Sequence, residues 1–223
     1  MYYLVKTPWW LRKLYPRCTW NIPVSKQEKI LYLTFDDGPH PEATPFVLDT
    51  LRQWNAHATF FCIGKNVVEH PELYRRVLEE GHRTGNHTFN HLNGWKTADD
   101  KYIADILETT KYVDSDLFRP PYGRISQFQS RVLTGTDTYG NAGRKFRVIM
   151  WDVLSADFDQ RITADKCAFN VTANAGSGSI VVFHDSAKAF PRLREALPVV
   201  LRYFSEKGFR FETIPFEGET LPA

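Results

Sequence analysis

The chain has 223 residues, of which 43% are hydrophobic, and this length is sufficient for one α/β domain with a sizeable buried core. The 28 basic and 26 acidic residues leave a formal net charge of +2, so the sequence lacks the dense positive charge of a nucleic-acid-binding protein. The three cysteines are widely spaced and form no CxxC pair, which argues against a disulfide framework and against a cysteine-based zinc site.

Aromatic and basic residues are concentrated in residues 1–25, which we predict to form an arm outside the main domain. Trp9 and Trp10 stand beside Arg12 and Lys13. Such a segment can pack on the domain's own surface, which we favour, or contact a membrane surface. No signal peptide is visible, and no stretch reaches the ~20 apolar residues of a membrane-spanning helix. The compartment is therefore open between the cytoplasm and the membrane periphery, unless a leader has been removed.

Short apolar runs then alternate with stretches of helical periodicity through residues 26–217, with a tail at 218–223. The runs predict strands, and the periodic stretches predict helices. Repeated β-then-α units predict a parallel sheet covered by helices, either closed as a barrel or open and doubly wound. The predicted strands are Ile30–Phe35, Ala58–Ile63, Thr84–Asn86, Leu117–Phe118, Arg147–Trp151, Ser179–Phe183 and Phe209–Ile214. The predicted helices begin at Pro45, Pro71, Thr97, Ala164 and Leu193, with one more between Ser126 and Gly143.

Ionisable residues follow these predicted strands, at the point where each strand ends. In parallel α/β folds that edge is where loops converge to build an active site. We therefore expect one rim to carry the chemistry. The residues concerned are Asp36 and Asp37 after the first strand, His87 and His91 after the third, Arg119 after the fourth, Asp152 and Asp157 after the fifth, and His184 and Asp185 after the sixth.

Two histidines in this set are spaced to share a cation. His87 and His91 are four residues apart, so on a helical turn both imidazoles would face the same way. The spacing alone is weak evidence, and no Glu follows His87, which excludes the HExxH metalloprotease pattern. Two histidines and one aspartate would leave metal positions open for water and substrate. The pair Asp36 and Asp37 could supply a ligand and a base, or could simply cap the turn before Gly38.

Four short motifs resemble those of the polysaccharide deacetylases (carbohydrate esterase family 4, the NodB homology domain). They occur in the family's order across roughly residues 30–214. The resemblance implies a single α/β domain built as a distorted (β/α) barrel of about seven parallel strands. The family's first motif resembles Thr34-Phe-Asp-Asp-Gly-Pro39, and its second motif resembles His87-Thr-Phe-Asn-His91. Its third motif resembles Arg119-Pro-Pro-Tyr-Gly123, and its fifth motif resembles Val182-Phe-His184.

The same resemblance implies roles for the ionisable residues. Asp37, His87 and His91 would hold a divalent metal, most readily zinc, with cobalt, nickel or manganese as alternatives. Asp36 would be the general base for the water that attacks an N-acetyl carbonyl. His184 would be the general acid that protonates the departing amine.

Further residues are implied to orient and bind. Arg119 would pair with an active-site carboxylate, and the backbone N–H of Tyr122 would stabilise the oxyanion. The family's fourth motif usually ends in Asp-Trp, whereas this chain has Asp157 followed by Phe158. Asp157 could still partner Arg119 or His184. The residues expected to line the substrate groove are Pro121, Phe158 and Trp95, although Trp95 could equally cover the core.

The leading functional prediction is a metal-dependent N-deacetylase acting on N-acetylglucosamine units of a peptidoglycan-like or chitin-like glycan. One alternative is deacylation of a lipid-linked sugar at a membrane surface, suggested by the aromatic and basic arm. A second alternative is a carbohydrate-binding homologue without turnover. The expected partner is an N-acetylated glycan and not a nucleic acid, and the sequence leaves the oligomeric state open.

Overall fold

Parallel strands form the centre of the molecule, and the computed structural model describes residues 3–135 and 144–216. The strands are β1 (Cys18–Thr19), β2 (Ile30–Asp36), β3 (Thr59–Cys62), β4 (Arg83–Asn86), β5 (Leu117–Phe118), β6 (Arg147–Ile149), β7 (Val153–Leu154), β8 (Ile180–His184) and β9 (Arg210–Phe211). The helices are α1 (Trp9–Leu14), α2 (Ala43–Gln53), α3 (Gly64–Glu69), α4 (Pro71–Glu79), α5 (Asp99–Thr109), α6 (Gln127–Leu133), α7 (Ala164–Thr172) and α8 (Phe190–Glu206), with a 3-10 turn at Pro121–Gly123.

The sheet is curled and parallel, which confirms the predicted (β/α) barrel-like architecture. Within the described residues its order is β1-β6-β5-β4-β3-β2-β8-β7, and β9 pairs with β2. Every residue of the central strand β2 is buried, as expected for a parallel strand covered on both faces. On one face Phe35 stacks between Phe60 and Phe183, with ring centroids 5.1 and 6.1 Å away. A rigid central strand therefore carries the residues that follow Phe35 to the edge of the sheet.

Helix ends differ from the predicted ones where local capping was not apparent in the periodicity. The helix predicted from Pro45 begins at Ala43, because the imidazole of His40 accepts the N–H groups of Glu42 and Ala43. Helix α8 begins at Phe190 rather than Leu193, with a proline in its first turn. Helix α3 was not predicted. The predicted helix between 126 and 143 forms over Gln127–Leu133, and the remainder of that segment extends beyond the described residues.

The N-terminal arm contacts both edges of the curled sheet. At one edge β1 pairs in parallel with β6, and at the other the carbonyl of Val5 accepts the N–H of Leu154, 2.8 Å away. Lys6 and Arg12 both form ion pairs with Asp152. The prediction that Asp152 joins the carboxyl edge is wrong, because Asp152 precedes β7 and lies at its amino end.

No helix in the ranges 3–135 and 144–216 has the length and apolar character needed to cross a bilayer. The predicted tail, residues 218–223, lies outside the described residues.

Candidate functional site

The side chains that the sequence singled out for catalysis converge at the carboxyl edge of the sheet. Asp36 ends β2 and His184 ends β8, and these two residues are partners in the register of the neighbouring strands. Adjacent strands lie about 4.8 Å apart, so the two side chains start from neighbouring positions. His87 follows β4 and Arg119 follows β5, on the other side of β2.

Three ligand atoms meet at the centre of this edge. Asp37 Oδ1 lies 3.6 Å from Nε2 of His87 and 3.2 Å from Nε2 of His91. Zinc ligands at about 2.0–2.1 Å in a tetrahedron are separated by roughly 3.3 Å, so the spacing suits one such ion. Within the described residues, this is the one group of three or more His, Cys, Asp or Glu side chains close enough to share an ion. The donor set therefore fits a divalent cation.

The orientation of His87 also suits a metal ligand. Its Nδ1 lies 2.8 Å from the carbonyl oxygen of Arg119 and donates to it, so Nε2 is the nitrogen directed at Asp37. The imidazole is buried, and its ring lies 5.2 Å from the ring of His91. A hydrogen bond of this kind fixes both the tautomer and the direction of the free nitrogen.

A loop, and not the helical turn suggested by the four-residue spacing, brings the two histidines together. Thr88 and His91 adopt left-handed backbone conformations, with φ of 63° and 56°. The side chain of Asp105, on α5, accepts the N–H groups of Phe89 and Asn90, each 2.9 Å away. A buried carboxylate from a distant helix therefore shapes the loop.

Asp37 is held as an anion. Burial would raise the pKa of this carboxyl, but the imidazoles of His87 and His91 beside it outweigh burial and hold its pKa well below its usual value. Its backbone is left-handed, with φ of 78°, and Asn66 donates to its carbonyl at 2.7 Å. The residue therefore turns its side chain away from that of Asp36 and toward the histidines.

Asp36 is paired with a fully buried cation. Arg119 donates to Asp36 Oδ1 at 2.6 Å and to the hydroxyl of Thr34 at 2.7 Å. The same guanidinium donates to the carbonyls of Ile149 and Met150 and lies over the ring of Phe61. One carboxylate oxygen of Asp36 is thus fixed by Arg119.

His184 has a carboxylate partner of its own. Its Nδ1 lies 2.7 Å from Asp157 Oδ1, and its backbone N–H donates to Asp157 Oδ2 at 2.8 Å. Burial would lower the pKa of His184, but the Asp157 carboxylate outweighs burial and raises it to about 9. The imidazole therefore carries a proton at neutral pH. Asp157 does not contact Arg119, so of its two suggested partners the structure pairs it with His184.

Of the residues predicted to bind substrate, Tyr122 and Phe158 contact imidazoles of the site, whereas Trp95 contacts Arg124 and Ile125. Tyr122 is 56% exposed, its ring lies 4.6 Å from that of His91, and its backbone is left-handed with φ of 60°. It follows the buried Pro121 in the 3-10 turn. Trp95 is 55% exposed, lies under the guanidinium of Arg124 and donates to a main-chain carbonyl. The ring of Phe158 meets that of His184 edge-on, at 5.2 Å between centroids.

Sequence reasoning gave no role to Asp185, which packs against the turn that carries Asp37. The Asp185 side chain is buried, and Thr44 donates to its Oδ2 at 2.5 Å. A methyl group on Gly38 would fall 2.1 Å from Oδ2, so only glycine fits beneath this carboxyl. Burial raises the pKa of Asp185 to about 8. The one sequence feature that could have indicated a role for Asp185 is its position directly after His184, at the end of a strand.

A further histidine, His57, does not join the site. It precedes β3 at the amino end of that strand, and its ring lies 5.8 Å from that of His82. His57 therefore lies at the opposite edge of the sheet from the residues described above.

Several known proteins are similar to this chain. The model of the polysaccharide deacetylase family matches residues 24–140. The chain is 39% identical over 202 residues to a peptidoglycan-N-acetylglucosamine deacetylase of Bacillus cereus, covering 88% of this chain and 90% of that protein. It is 34% identical over 215 residues to a chitooligosaccharide deacetylase of Azorhizobium caulinodans, covering 86% and 96%. A solved peptidoglycan N-acetylglucosamine deacetylase in complex with 4-naphthalen-1-yl-N-oxidanyl-benzamide shares 31% identity and a TM-score of 0.80, covering 94% of this chain and 95% of that one.

Proposed function

The chain belongs to the polysaccharide deacetylase family, and on that premise we propose that it hydrolyses N-acetyl groups of N-acetylglucosamine-containing glycans in a metal-dependent reaction. The observation that carries the proposal is the convergence of Asp37, His87 and His91 on one point, at the edge of the sheet where Asp36 and His184 end neighbouring strands. The names of the related proteins support a peptidoglycan-like or chitin-like substrate.

Asp37, His87 and His91 would hold the metal, with zinc as the favoured ion and cobalt, nickel or manganese as alternatives. An ion in that position would supply Lewis-acid polarisation of the amide carbonyl and would lower the pKa of bound water. The spacing of the ligand atoms and the free Nε2 of His87 support this assignment.

Proton transfer is assigned to the two residues that flank the ligands. Asp36 takes a proton from the attacking water through the carboxylate oxygen that Arg119 leaves unbound. His184 gives its proton to the amide nitrogen as the C–N bond breaks, so that acetate and a free amine leave. Asp157 keeps His184 protonated and oriented until that step.

The oxyanion that develops on the carbonyl would accept a hydrogen bond from the backbone N–H of Tyr122. Pro121 has no N–H, so the N–H of Tyr122 is the first donor of the 3-10 turn. The first N–H groups of a helical turn have no acceptor within that turn. Trp95 and Phe158 would form walls against which sugar rings pack.

The decisive experiment is acetate release from N-acetylated glycans, combined with metal analysis of the purified protein. We expect turnover that chelation abolishes and that zinc or cobalt restores. His91→Ala should lose both metal and turnover, whereas His70→Ala, at a histidine between α3 and α4, should keep both. Glycan binding without acetate release by the metal-loaded protein would instead favour the non-catalytic alternative.

A second proposal concerns the membrane and rests on the outer surface of the arm. Trp9 is 68% exposed and Trp10 48% exposed, and the ammonium of Lys13 lies 4.9 Å from the centre of the Trp9 ring. Exposed tryptophans beside basic residues suit the headgroup region of an anionic bilayer. Such contact would bring the protein to the membrane surface, where lipid-linked sugars are found.

Sedimentation with anionic liposomes tests this second proposal. Trp9→Ala should weaken binding, whereas Phe169→Ala should not, although Phe169 is similarly exposed and lies under Lys166. Equal sedimentation of the parent protein and Trp9→Ala would contradict it.

A further inference from the structure

The start of the described chain reaches the active-site rim. The hydroxyl of Tyr3 donates to Asp159 Oδ2 at 2.9 Å, and its ring meets the ring of Phe158 edge-on at 5.5 Å between centroids. Phe158 in turn contacts His184 at 5.2 Å. A single ring therefore separates the arm from the residue assigned as the general acid.

The arm is anchored firmly enough to hold Tyr3 in this place. Two main-chain hydrogen bonds attach residues 5–7 to the edge of the sheet at β7, from Leu154 to Val5 at 2.8 Å and from Thr7 to Asp152 at 2.9 Å. Lys6 adds an ion pair to Asp152 at 2.7 Å. The position of Tyr3 is thus set by the sheet that also carries the catalytic residues.

The loop that carries Phe158 depends on outside contacts for its shape. Arg192 donates to the carbonyl of Asp157 at 2.6 Å, and Arg161 binds the Asp159 carboxylate at 2.8–2.9 Å. The bond from Arg192 fixes the backbone before Phe158, and the bonds from Arg161 hold the side chain of Asp159 after it. Its ring has aromatic contacts only with His184 and Tyr3 among the described residues, and Lys188 lies 5.8 Å from its centre.

We propose that Tyr3 is a positioning residue that holds the Phe158 ring as a fixed wall of the sugar-binding groove next to His184. The proposal rests on the deacetylase function proposed above. Phenylalanine has a smaller ring than the tryptophan expected at this place in the motif, and a second ring behind it keeps it from turning away. His184 has its own partner in Asp157, so loss of the Tyr3 ring should weaken substrate binding more than proton transfer.

Kinetics of acetate release from N-acetylglucosamine oligosaccharides test this role. We expect Tyr3→Ala to raise KM about three- to tenfold, the scale of one aromatic contact, with kcat within about twofold of the parent value. Tyr3→Phe keeps the ring contact and loses only the hydrogen bond to Asp159, so it should retain the parent KM. Tyr203→Ala removes a tyrosine with a similar edge-on contact, to Phe204 on α8, and should change neither constant.

Two results would overturn the proposal: an unchanged KM in Tyr3→Ala, or a KM in Tyr3→Phe as high as in Tyr3→Ala. Calorimetry can also measure the affinity of the parent protein, Tyr3→Ala and Tyr3→Phe for an N-acetylglucosamine tetramer, which compares the same variants without relying on turnover. If the parent binds the tetramer but releases no acetate, the deacetylase proposal fails, and Tyr3 is judged by binding alone. If the parent binds and cleaves the tetramer and Tyr3→Ala matches it in both, only the role of Tyr3 fails. A parent that neither binds nor cleaves any N-acetylated glycan refutes both.

Discussion

Replacing Arg119 by methionine is expected to destabilise the fold severely, because it leaves a carboxylate buried without its cation. Arg119 is fully buried, and Asp36 is almost as inaccessible, with 5% of its side chain exposed. Removing one partner of a buried ion pair costs about 3–5 kcal/mol. The substitution also strips the carbonyls of Ile149 and Met150 of a donor, at about 1 kcal/mol each. We therefore expect a loss of about 5–7 kcal/mol, a large part of the roughly 5–15 kcal/mol that stabilises a typical domain.

Urea denaturation of the metal-free protein measures this loss as a fall in the midpoint at constant m value. The double variant Arg119→Met, Asp36→Asn removes both charges and should recover part of the stability, because the buried anion is the main cost. Arg194→Met is the matched control, since Arg194 is exposed and its nearest carboxylate oxygen is 4.0 Å away. It should leave the midpoint unchanged.

A loss of less than about 1 kcal/mol in Arg119→Met, which is the range of an exposed ion pair, would contradict this expectation. A double variant no more stable than Arg119→Met would also contradict it, because the isolated carboxylate would then not be the source of the loss.

Three further predictions concern the site. Asp36→Asn should lower the rate of acetate release by a factor of about 10²–10⁴, typical of a lost general base, while metal content stays that of the parent. Because the pKa of His184 is raised to about 9, the protonated acid persists at neutral pH, and the rate should fall as pH rises through about 9. Asp157→Asn should move that fall to lower pH in a pH–rate profile. Gly38→Ala should reduce metal content and the thermal midpoint, because the new methyl group would overlap Asp185, and normal metal content in this variant would contradict the packing described here.

The order of the strands along the chain and the edge that carries the site follow from short-range patterns. The apolar run ending at Phe35 could only be a covered strand, and residues after such strands meet at one edge. The roles of Asp36 and Asp37 could not be separated in this way. Their partners come from other parts of the chain: Arg119 binds the first, and Asn66 with two histidines fixes the second.

The loop between His87 and His91 shows why spacing alone was insufficient. Four residues suggest a helical turn, but the buried carboxylate of Asp105 collects two N–H groups of the loop and favours a different backbone. The contact between Tyr3 of the arm and Phe158 at the site was not predicted, for a similar reason. The hydrogen bonds between residues 5–7 and the β7 edge form because β7 is the last strand on that side of the sheet. The sequence pattern does not indicate which strand is last.

The charges next to the three ligand side chains are arranged as two buried ion pairs. Asp36 pairs with the guanidinium of Arg119, and His184 pairs with the carboxylate of Asp157, which raises the pKa of the imidazole. Each pair is neutral overall, so burying both adds little uncompensated charge. Asp37 differs from these four residues because its neighbours are two imidazoles, each with a nitrogen directed at the same carboxylate oxygen. A divalent ion would balance that anion and use all three lone pairs, which is why we place the metal there and not between the flanking pairs.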